Sequence, residues 1–110
     1  MITIASWNVN SIRSRLDHLR LWLEKNNIDI LCLQETKVQD VDFPERIFSE
    51  IGFQTEFTGQ KSYNGVCILF NNQANLFCKE LQGLDDNQRR LIAITKDNSL
   101  FVNIYVPNGS

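Results

Sequence analysis

The chain has 110 residues, a formal net charge of −2 and a hydrophobic content of 43%. This length allows at most one domain, and the charge excludes a bulk polycation, so binding to nucleic acid would require a local basic patch. No apolar stretch is long enough to cross a bilayer and no signal region precedes the first strand pattern, so we expect a cytoplasmic protein without membrane contact. Three cysteines lie in strand patterns without a C-x-x-C pair, which is typical of reduced core residues: Cys32, Cys67 and Cys78.

The beginning of the chain predicts a β-α-β unit. Residues 2–8 alternate as a strand, and Ser14, with Asp17 three residues later, predicts a capped helix start. The helix ends at Asn26, and its apolar positions fall on one face: Leu16, Leu19, Trp22 and Leu23. Residues 28–34 are nearly continuous in apolar character, which is typical of a strand buried on both faces. We expect a right-handed crossover between two parallel strands.

The rest of the chain predicts one short helix and then strands. Pro44 suits the first turn of the helix, and Gly52 ends it. The predicted strands cover residues 53–57, 66–70, 76–81, 91–95 and 100–106. We therefore predict an α/β fold of the mixed α+β kind, with one mixed sheet, the last strand in its centre and helices on one face. The opposite face would lack a covering layer, so residues 1–110 would form an incomplete domain.

Three polar residues lie at or near strand ends, where ligands of open α/β sheets collect. Asn8 and Glu35 each end an apolar strand, and Tyr105 lies in the last strand. An amide, a carboxylate and a phenol suit a site for a divalent metal and a phosphate. Taken one at a time, the residues favour simpler roles. Asn8 would be a turn residue, Glu35 would pair with Lys37 or an arginine, and Tyr105 would be a half-buried sheet tyrosine.

Basic residues in the links form a second group: Arg13, Arg15, Lys61, Arg89 and Arg90. Such side chains contact phosphate, and a nearby helix N-terminus adds to the field. The alternative is a set of solvated surface charges. We expect the single histidine, His18, to lie on the surface of the helix and not to act as a general base, because no carboxylate around it in the sequence has a spacing that would orient its ring.

Five segments resemble the exodeoxyribonuclease III family of the endonuclease/exonuclease/phosphatase superfamily. They cover residues 4–13, 33–38, 59–66, 88–90 and 103–109, and they occur in the order of that family. The resemblance implies a four-layer α/β/β/α sandwich, of which residues 1–110 would be the N-terminal half. It also implies a phosphodiesterase that uses Mg²⁺ or Mn²⁺ and acts on double-stranded DNA, beside abasic sites or from 3′ ends.

The resemblance also implies roles for individual residues. Glu35 would be the metal-binding carboxylate, with Asn8 beside it at the metal and the scissile phosphate and Asn10 at a neighbouring active-site position. Tyr105 would contact the phosphate. The implied contacts to DNA are Arg13, Lys61, Tyr63, Arg90 and Asn108. The family's later Asp-x-Asn pair, a further aspartate and an Asp-His pair have no counterpart in this chain, so we expect the chain alone to be inactive.

Two alternatives to the nuclease hypothesis stay open. A phosphatase or phospholipase of the same superfamily would act on lipid headgroups or inositol phosphates, although Gln60-Lys61 and residues 88–90 favour DNA. A non-catalytic half-domain would persist as a remnant, or would self-associate through the uncovered sheet face, because exposed apolar patches mark interfaces.

Overall fold

The computed structural model describes residues 2–71, 73–79 and 89–106. The strands are β1 Ile4–Asn8, β2 Ile30–Gln34, β3 Gln54–Thr58, β4 Val66–Phe70, β5 Asn75–Cys78, β6 Leu91–Lys96 and β7 Ser99–Ile104. The helices are α1 Leu16–Lys25 and α2 Glu45–Glu50, with short 3-10 turns at Arg13–Arg15 and Asp40–Asp42. Both α-helices are too short to cross a bilayer, and no spanning helix occurs in the described residues.

The first sheet is mixed and has the strand order β1-β2-β4-β3. The strands β1 and β2 are parallel and joined through α1, whereas β4 runs antiparallel to both β2 and β3. This confirms the predicted β-α-β start and the mixed α+β fold class. All positions of β2 except the last are buried, because helices pack on one face and further strands on the other.

The two ends of α1 differ in how well the sequence predicts them. Ser14 does not cap the helix as predicted, because the chain enters α1 through a 3-10 turn and the Ser14 hydroxyl instead donates to the Ser11 hydroxyl at 3.3 Å. At the other end, both the backbone N–H and the side-chain amide of Asn26 donate to the Trp22 carbonyl, at 3.0 and 2.9 Å. Asn26 therefore ends the helix as predicted.

The side chains of β2 alternate between two apolar cores. Leu31 and Leu33 face the helices, where they pack with Leu19, Leu23 and Phe48. Residues 30 and 32 face the other way and belong to a separate cluster. This alternation follows from the period of two in a strand. A strand that is buried on both sides anchors both layers of the fold.

Strands β5, β6 and β7 form a second, antiparallel sheet, where a single sheet was predicted. This sheet packs on the face of the first sheet that the helices leave open, so the predicted uncovered face is in fact covered. The core between the sheets contains Ile30, Cys32, Val66, Ile68, Phe70, Ile92 and Ile94. The physical reason is that a strand added at an edge of the first sheet would not cover its apolar face opposite the helices. The apolar face of β6 is therefore buried by stacking face to face instead of by pairing in the same sheet.

The strand β7 lies at an edge of the described part of the second sheet, and not in a sheet centre as predicted. Phe101 and Asn103 point toward the first sheet. Leu100, Val102 and Ile104 point outward and are 51%, 50% and 51% exposed. The uncovered apolar face is thus the outer face of β7, one layer further out than predicted.

The cysteines are free thiols, in agreement with the prediction of reduced core residues. Cys32 and Cys67 are buried, and Cys78 is half-buried. Burial raises the pKa of the Cys32 thiol to about 11 and raises that of Cys67 well above its ordinary value. Both thiols therefore remain protonated at neutral pH and act as small apolar side chains.

Candidate functional site

The polar segments of the first sheet meet at one end of its strands. The strands β1 and β2 are parallel and finish together, with Asn8 opposite Gln34. The first residue of β4, Val66, lies opposite both Gln34 and the last residue of β3, Thr58. The loop 59–65, which connects β3 to β4, is consequently at the same end as the residues that follow β1 and β2.

The second sheet contributes to this end as well. The backbone N–H of Gly65 donates to the carbonyl of Arg89 at 3.0 Å, just before β6 begins. The backbone N–H of Tyr105 donates to the carbonyl of Arg90 at 2.8 Å, just after β7 ends. We call this end the rim, and it consists of residues 8–11, 34–38, 59–65, 89–90 and 103–105.

Four side chains at the rim form a connected polar cluster. The amide of Asn8 donates to one carboxylate oxygen of Glu35, and its own oxygen accepts the backbone N–H of Asn10 at 3.1 Å. The Lys37 ammonium donates to the side-chain oxygen of Asn10 at 2.5 Å and lies 3.9 Å from the other Glu35 oxygen. Of the two predicted partners of Glu35, Lys37 or an arginine, Lys37 is the one in contact, and Asn8 contacts Glu35 as well. Lys37 is not among the predicted site residues, although it lies only two positions after Glu35.

The backbone of this cluster adopts unusual conformations. Asn10, Ser11, Glu35 and Lys37 all have positive φ angles, of 47°, 92°, 57° and 59°. A left-handed conformation costs a residue other than glycine about 1–2 kcal/mol. The surroundings hold it through backbone bonds, such as those from Ser11 to the Glu35 carbonyl at 2.8 Å and from Lys37 to the Asn64 carbonyl at 2.9 Å. The two segments are therefore locked against each other and against the loop 59–65.

Two glycines allow the loop 59–65 to pack closely on residues 36–38. A Cβ atom at Gly65 would lie 2.2 Å from the Thr36 hydroxyl, and one at Gly59 would lie 2.0 Å from the Val38 carbonyl. Gly65 also has a φ angle of +95°. Thr36 is itself 1% exposed. Any larger residue at either glycine would displace the loop from the segment that follows Glu35.

The residues predicted to contact DNA differ in their settings. Lys61 and Tyr63 are exposed on the loop 59–65, beside the Glu35 segment. Arg90 is half-buried at the start of β6. Asn108 lies outside the described residues. Three of the five predicted contacts, Lys61, Tyr63 and Arg90, therefore belong to the rim.

The acidic turn at residues 40–42 binds two arginines. A guanidinium nitrogen of Arg13 lies 3.6 Å from a carboxylate oxygen of Asp42, with both side chains largely exposed. Arg89 lies 3.4 Å from Asp40 and donates to the hydroxyl of Thr58 at 2.9 Å. Exposed ion pairs contribute at most about 1 kcal/mol, so the Asp42 contact leaves Arg13 able to exchange it for another anion. Arg89 has a more structural role, because it joins the β6 start to β3.

A polar network that is buried at Asn103 connects the two sheets within the rim. The side-chain amide of Asn103 donates to the carbonyls of Leu33 and Cys67, both at 2.8 Å. The amide of Gln34 donates to the Asn103 oxygen at 2.7 Å and to the Ser6 hydroxyl at 3.0 Å. Neither Asn103 nor Gln34 is among the predicted site residues. The signal in the sequence is an asparagine at an inward position of an otherwise apolar strand.

His18 lies away from the rim. It is exposed on α1 and meets the ring of Trp7 edge-on, with centroids 5.4 Å apart. Trp7 packs on the helix side of β1, whereas Asn8 follows it on the opposite face. His18 therefore belongs to the surface of α1.

The donors at the rim suit a hard divalent cation. They are the carboxylate of Glu35 and the side-chain oxygens of Asn8 and Asn10, and Glu35 remains 23% exposed. Mg²⁺ prefers such oxygen ligands and is often held by one or two carboxylates with water and phosphate. No group of three or more His, Cys, Asp or Glu side chains able to hold a metal occurs in the part of the chain that the structure describes. These donors therefore fit a weakly held cation that keeps several waters.

Comparison with known proteins gives consistent matches. The model of the endonuclease/exonuclease/phosphatase family matches residues 5–108. Exodeoxyribonuclease III of Haemophilus influenzae is 30% identical over 109 residues, covering 94% of this chain and 41% of that protein.

Two solved structures show the same fold. An AP endonuclease from Archaeoglobus fulgidus has a TM-score of 0.91 and 42% identity, covering 97% of this chain and 42% of its own. A 3′ phosphatase from Neisseria, bound to a product DNA hairpin, has a TM-score of 0.90 and 37% identity, covering 96% of this chain and 41% of its own. The chain thus spans about two fifths of the length of these proteins.

Proposed function

This chain belongs to the endonuclease/exonuclease/phosphatase family, and we propose that it forms the metal- and phosphate-binding part of a DNA-repair phosphodiesterase. The enzyme would resemble exodeoxyribonuclease III, cleaving DNA beside abasic sites and removing nucleotides from 3′ ends. The observation that carries this proposal is the contact between Asn8 and Glu35 at the rim. Support also comes from relatives that are named exodeoxyribonuclease and AP endonuclease.

The proposed roles at the rim are those that the family resemblance implies, and donor chemistry is compatible with them. Glu35 and Asn8 would hold Mg²⁺ or Mn²⁺, with Asn10 as their neighbour, and Tyr105 would donate a hydrogen bond to the phosphate. A bound cation would supply Lewis-acid stabilisation of the charge that develops on phosphate oxygens. Asn8 orients the Glu35 carboxylate through its hydrogen bond, and the Lys37 ammonium offsets part of its charge.

The substrate proposed for this site is double-stranded DNA with an abasic site or a 3′ end. Lys61 and Tyr63 on the exposed loop, together with Arg13, Arg90 and Asn108, would contact its backbone. Basic, hydroxyl and amide side chains are the usual partners of DNA phosphates. The exposure of Lys61 and Tyr63 beside the Glu35 segment supports this arrangement.

We expect this chain alone to bind a cation and DNA without cleaving the DNA. Residues 1–110 would be an incomplete domain, because catalysis would need further carboxylates for the nucleophilic water and the leaving group. Incubation with abasic-site duplex DNA and Mg²⁺ should give no more nicking than buffer alone. Robust nicking would contradict the proposal that catalysis needs residues outside this chain.

The metal site is tested by titrating the chain with Mn²⁺ and following bound Mn²⁺ by electron paramagnetic resonance. Glu35→Gln keeps the shape of the side chain but removes its charge, and we expect it to weaken Mn²⁺ binding about tenfold or more. Glu24→Gln is the matched control, since Glu24 is exposed on α1. If the parent chain and Glu35→Gln bind Mn²⁺ with equal affinity, Glu35 is not a ligand of the metal.

Two alternatives remain distinguishable from this proposal. A phosphatase or phospholipase of the same family would prefer a soluble phosphoester, so competition between abasic DNA and inositol phosphate for the chain would separate them. Self-association is the second alternative, and the half-exposed apolar face of β7 favours it. In that case the partner would be a second copy of this chain.

A further inference from the structure

The proposed site is divided between two sheets. In the first sheet Asn8 is the last residue of β1 and Glu35 follows β2, whereas Tyr105 follows β7 of the second sheet. The core between the sheets consists of apolar side chains such as Ile68 and Ile92. Apolar burial is non-directional, so this core alone does not determine how far one sheet slides along the other. The separation between Glu35 and Tyr105 needs a more specific determinant.

Asn103 supplies directional contacts between the sheets. Its side chain is almost completely buried, with the residue 2% exposed. Its single amide nitrogen donates to the carbonyls of Leu33 and Cys67, both at 2.8 Å. These two residues are register partners on β2 and β4. The amide therefore spans two neighbouring strands, and any sliding of β7 along either would break a buried hydrogen bond.

Gln34 extends this connection toward the candidate metal site. Its amide donates both to the Asn103 oxygen at 2.7 Å and to the Ser6 hydroxyl at 3.0 Å. Gln34 directly precedes Glu35, and Asn103 lies two residues before Tyr105 on the same side of β7. The network thus connects residues that are one position from Glu35 and two positions from Tyr105.

Other polar links between the sheets are located elsewhere. The Gly65 N–H donates to the Arg89 carbonyl at 3.0 Å, and the Arg89 side chain donates to Thr58 at 2.9 Å. These bonds hold the start of β6 against β3 and the loop 59–65. The strand β7 is paired with β6 along its length, and the Tyr105 N–H donates to the Arg90 carbonyl at 2.8 Å. The Asn103 side chain adds bonds that reach the first sheet from β7 itself.

We propose that Asn103 is a positioning residue, which sets the location of Tyr105 relative to Glu35 through its bridge to β2 and β4. This inference rests on the proposed function, in which Glu35 holds a cation and Tyr105 meets the phosphate. Asn103 acts through β7 and contacts neither group. A merely stabilising asparagine would change the free energy of unfolding but would leave Tyr105 in place.

The test uses the two tyrosines of the chain, Tyr63 and Tyr105. The chain is labelled with 3-fluorotyrosine, and the ¹⁹F resonances are recorded at low Mn²⁺ occupancy. Paramagnetic broadening falls steeply with distance from the bound ion. A drift of about 1 Å, the scale on which a poorly supported site residue moves, would reduce the Tyr105 broadening about twofold. Tyr63, on a loop held by other bonds, serves as the internal reference.

Two variants remove different parts of the network. Asn103→Ser removes the bridge to both carbonyls, and we expect the Tyr105 broadening to decrease while that of Tyr63 is unchanged. Gln34→Met keeps both carbonyl bonds of Asn103 and removes the Gln34 donor to Asn103 and to Ser6, so we expect a smaller effect. It replaces Asn103→Ser in the test if that variant does not fold. Asn75→Ser is the matched control, since Asn75 is exposed on β5 of the same sheet. It should match the parent chain.

The outcomes separate the inference from the proposed function. Folded variants with unchanged Tyr105 broadening and unchanged ¹⁹F shift would overturn the positioning role and leave the metal site intact. If Mn²⁺ broadens neither tyrosine of the parent chain, and Glu35→Gln does not alter Mn²⁺ binding, the proposed function fails. In that case a Tyr105 shift in metal-free Asn103→Ser supports the positioning role, and an unchanged shift overturns it.

Discussion

Glu35 combines a functional side chain with a backbone conformation that few residues adopt. Its φ angle of 57° is shared, within a few degrees, by Lys37 two positions later. Both side chains consequently turn back toward the segment after β1 and contact Asn8 and Asn10. A strained backbone conformation persists where several surrounding contacts hold it, and such conformations are common at ligand sites. At the scale of single residues, the rim is organised by backbone geometry as much as by charge.

Replacing Lys37 should strengthen cation binding. Its ammonium lies 3.9 Å from a Glu35 oxygen, so a cation bound there would be repelled by it. We expect Lys37→Met to raise the Mn²⁺ affinity about fivefold, equivalent to about 1 kcal/mol, which is the scale for unit charges about 4 Å apart in bulk water. The same resonance titration measures this, with Lys25→Met on the exposed end of α1 as control. An unchanged or weaker affinity would show that Lys37 supports the site in another way.

Among the described residues, two glycines have φ angles above +90° and permit a matched comparison. At Gly52 nothing lies within 4 Å of an added Cβ, whereas at Gly65 the Thr36 hydroxyl lies at 2.2 Å. We expect Gly52→Ala to cost about 1 kcal/mol, from backbone conformation alone. Gly65→Ala should cost about 3 kcal/mol or more, because the clash is added. Urea unfolding of both variants measures the difference, and equal costs would contradict the close packing of the loop on Thr36.

At the scale of elements, the strands were more predictable than what surrounds them. The observed bounds of β1–β4, β6 and β7 agree with the predicted bounds to within two residues, because periodicity and apolar runs are local signals. The start of α1 was less predictable, since Ser14 has the right spacing for a cap but the chain arrives through a 3-10 turn. Whether a polar residue caps a helix depends on the path of the backbone that leads into the helix. A local sequence pattern does not predict that path.

The buried thiol of β2 should make the protein sensitive to alkaline pH. Burial raises the pKa of Cys32 from 9.0 to about 11. Its contribution to stability is full below the unfolded-state pKa and is lost as the pH rises toward the folded-state pKa, because only the unfolded chain ionises in between. The loss from Cys32 is about 1 kcal/mol by pH 10.

The effect is measured by urea unfolding at pH 8 and pH 10. Cys32→Ala should be less stable than the parent chain at pH 8, since it leaves a small cavity. Its stability should then decline less on going to pH 10. The comparison between chains cancels the lysines and tyrosines that titrate in the same range. Identical pH dependence in both chains would contradict a buried, protonated thiol in β2.

At the scale of the whole molecule, the layer order decides which apolar surface is left open. The second sheet covers the face of the first, and the outward residues of β7 form an exposed apolar face on the described part of the second sheet: Leu100, Val102 and Ile104. An edge strand with such a face offers both unpaired backbone groups and apolar side chains to a partner. In the proteins that this chain resembles, about three fifths of the length lies outside the matched part.

We expect this face to drive self-association of the chain. The parent chain should sediment with a concentration-dependent mass, and the double variant Val102→Thr, Ile104→Thr should reduce that dependence, because threonine keeps the strand propensity while removing apolar surface. Leu21→Gln is the matched control, since Leu21 is 48% exposed on α1. A parent chain that remains monomeric at all concentrations would exclude this interface.

The amino-acid sequence predicts most of the helices and strands, the mixed fold class, the family resemblance and the polar residues at the ends of β1 and β2. These are local properties, carried by periodicity and by short motifs such as the segment around Glu35. Only the tertiary structure decided that the strands divide into two stacked sheets, that Lys37 joins the cluster of Asn8 and Glu35, and that Asn103 bridges β2 and β4. The physical reason is that these features depend on contacts between residues 27 to 70 positions apart. An apolar strand pattern predicts that a face of the strand is buried, but it does not predict which layer of the fold covers that face.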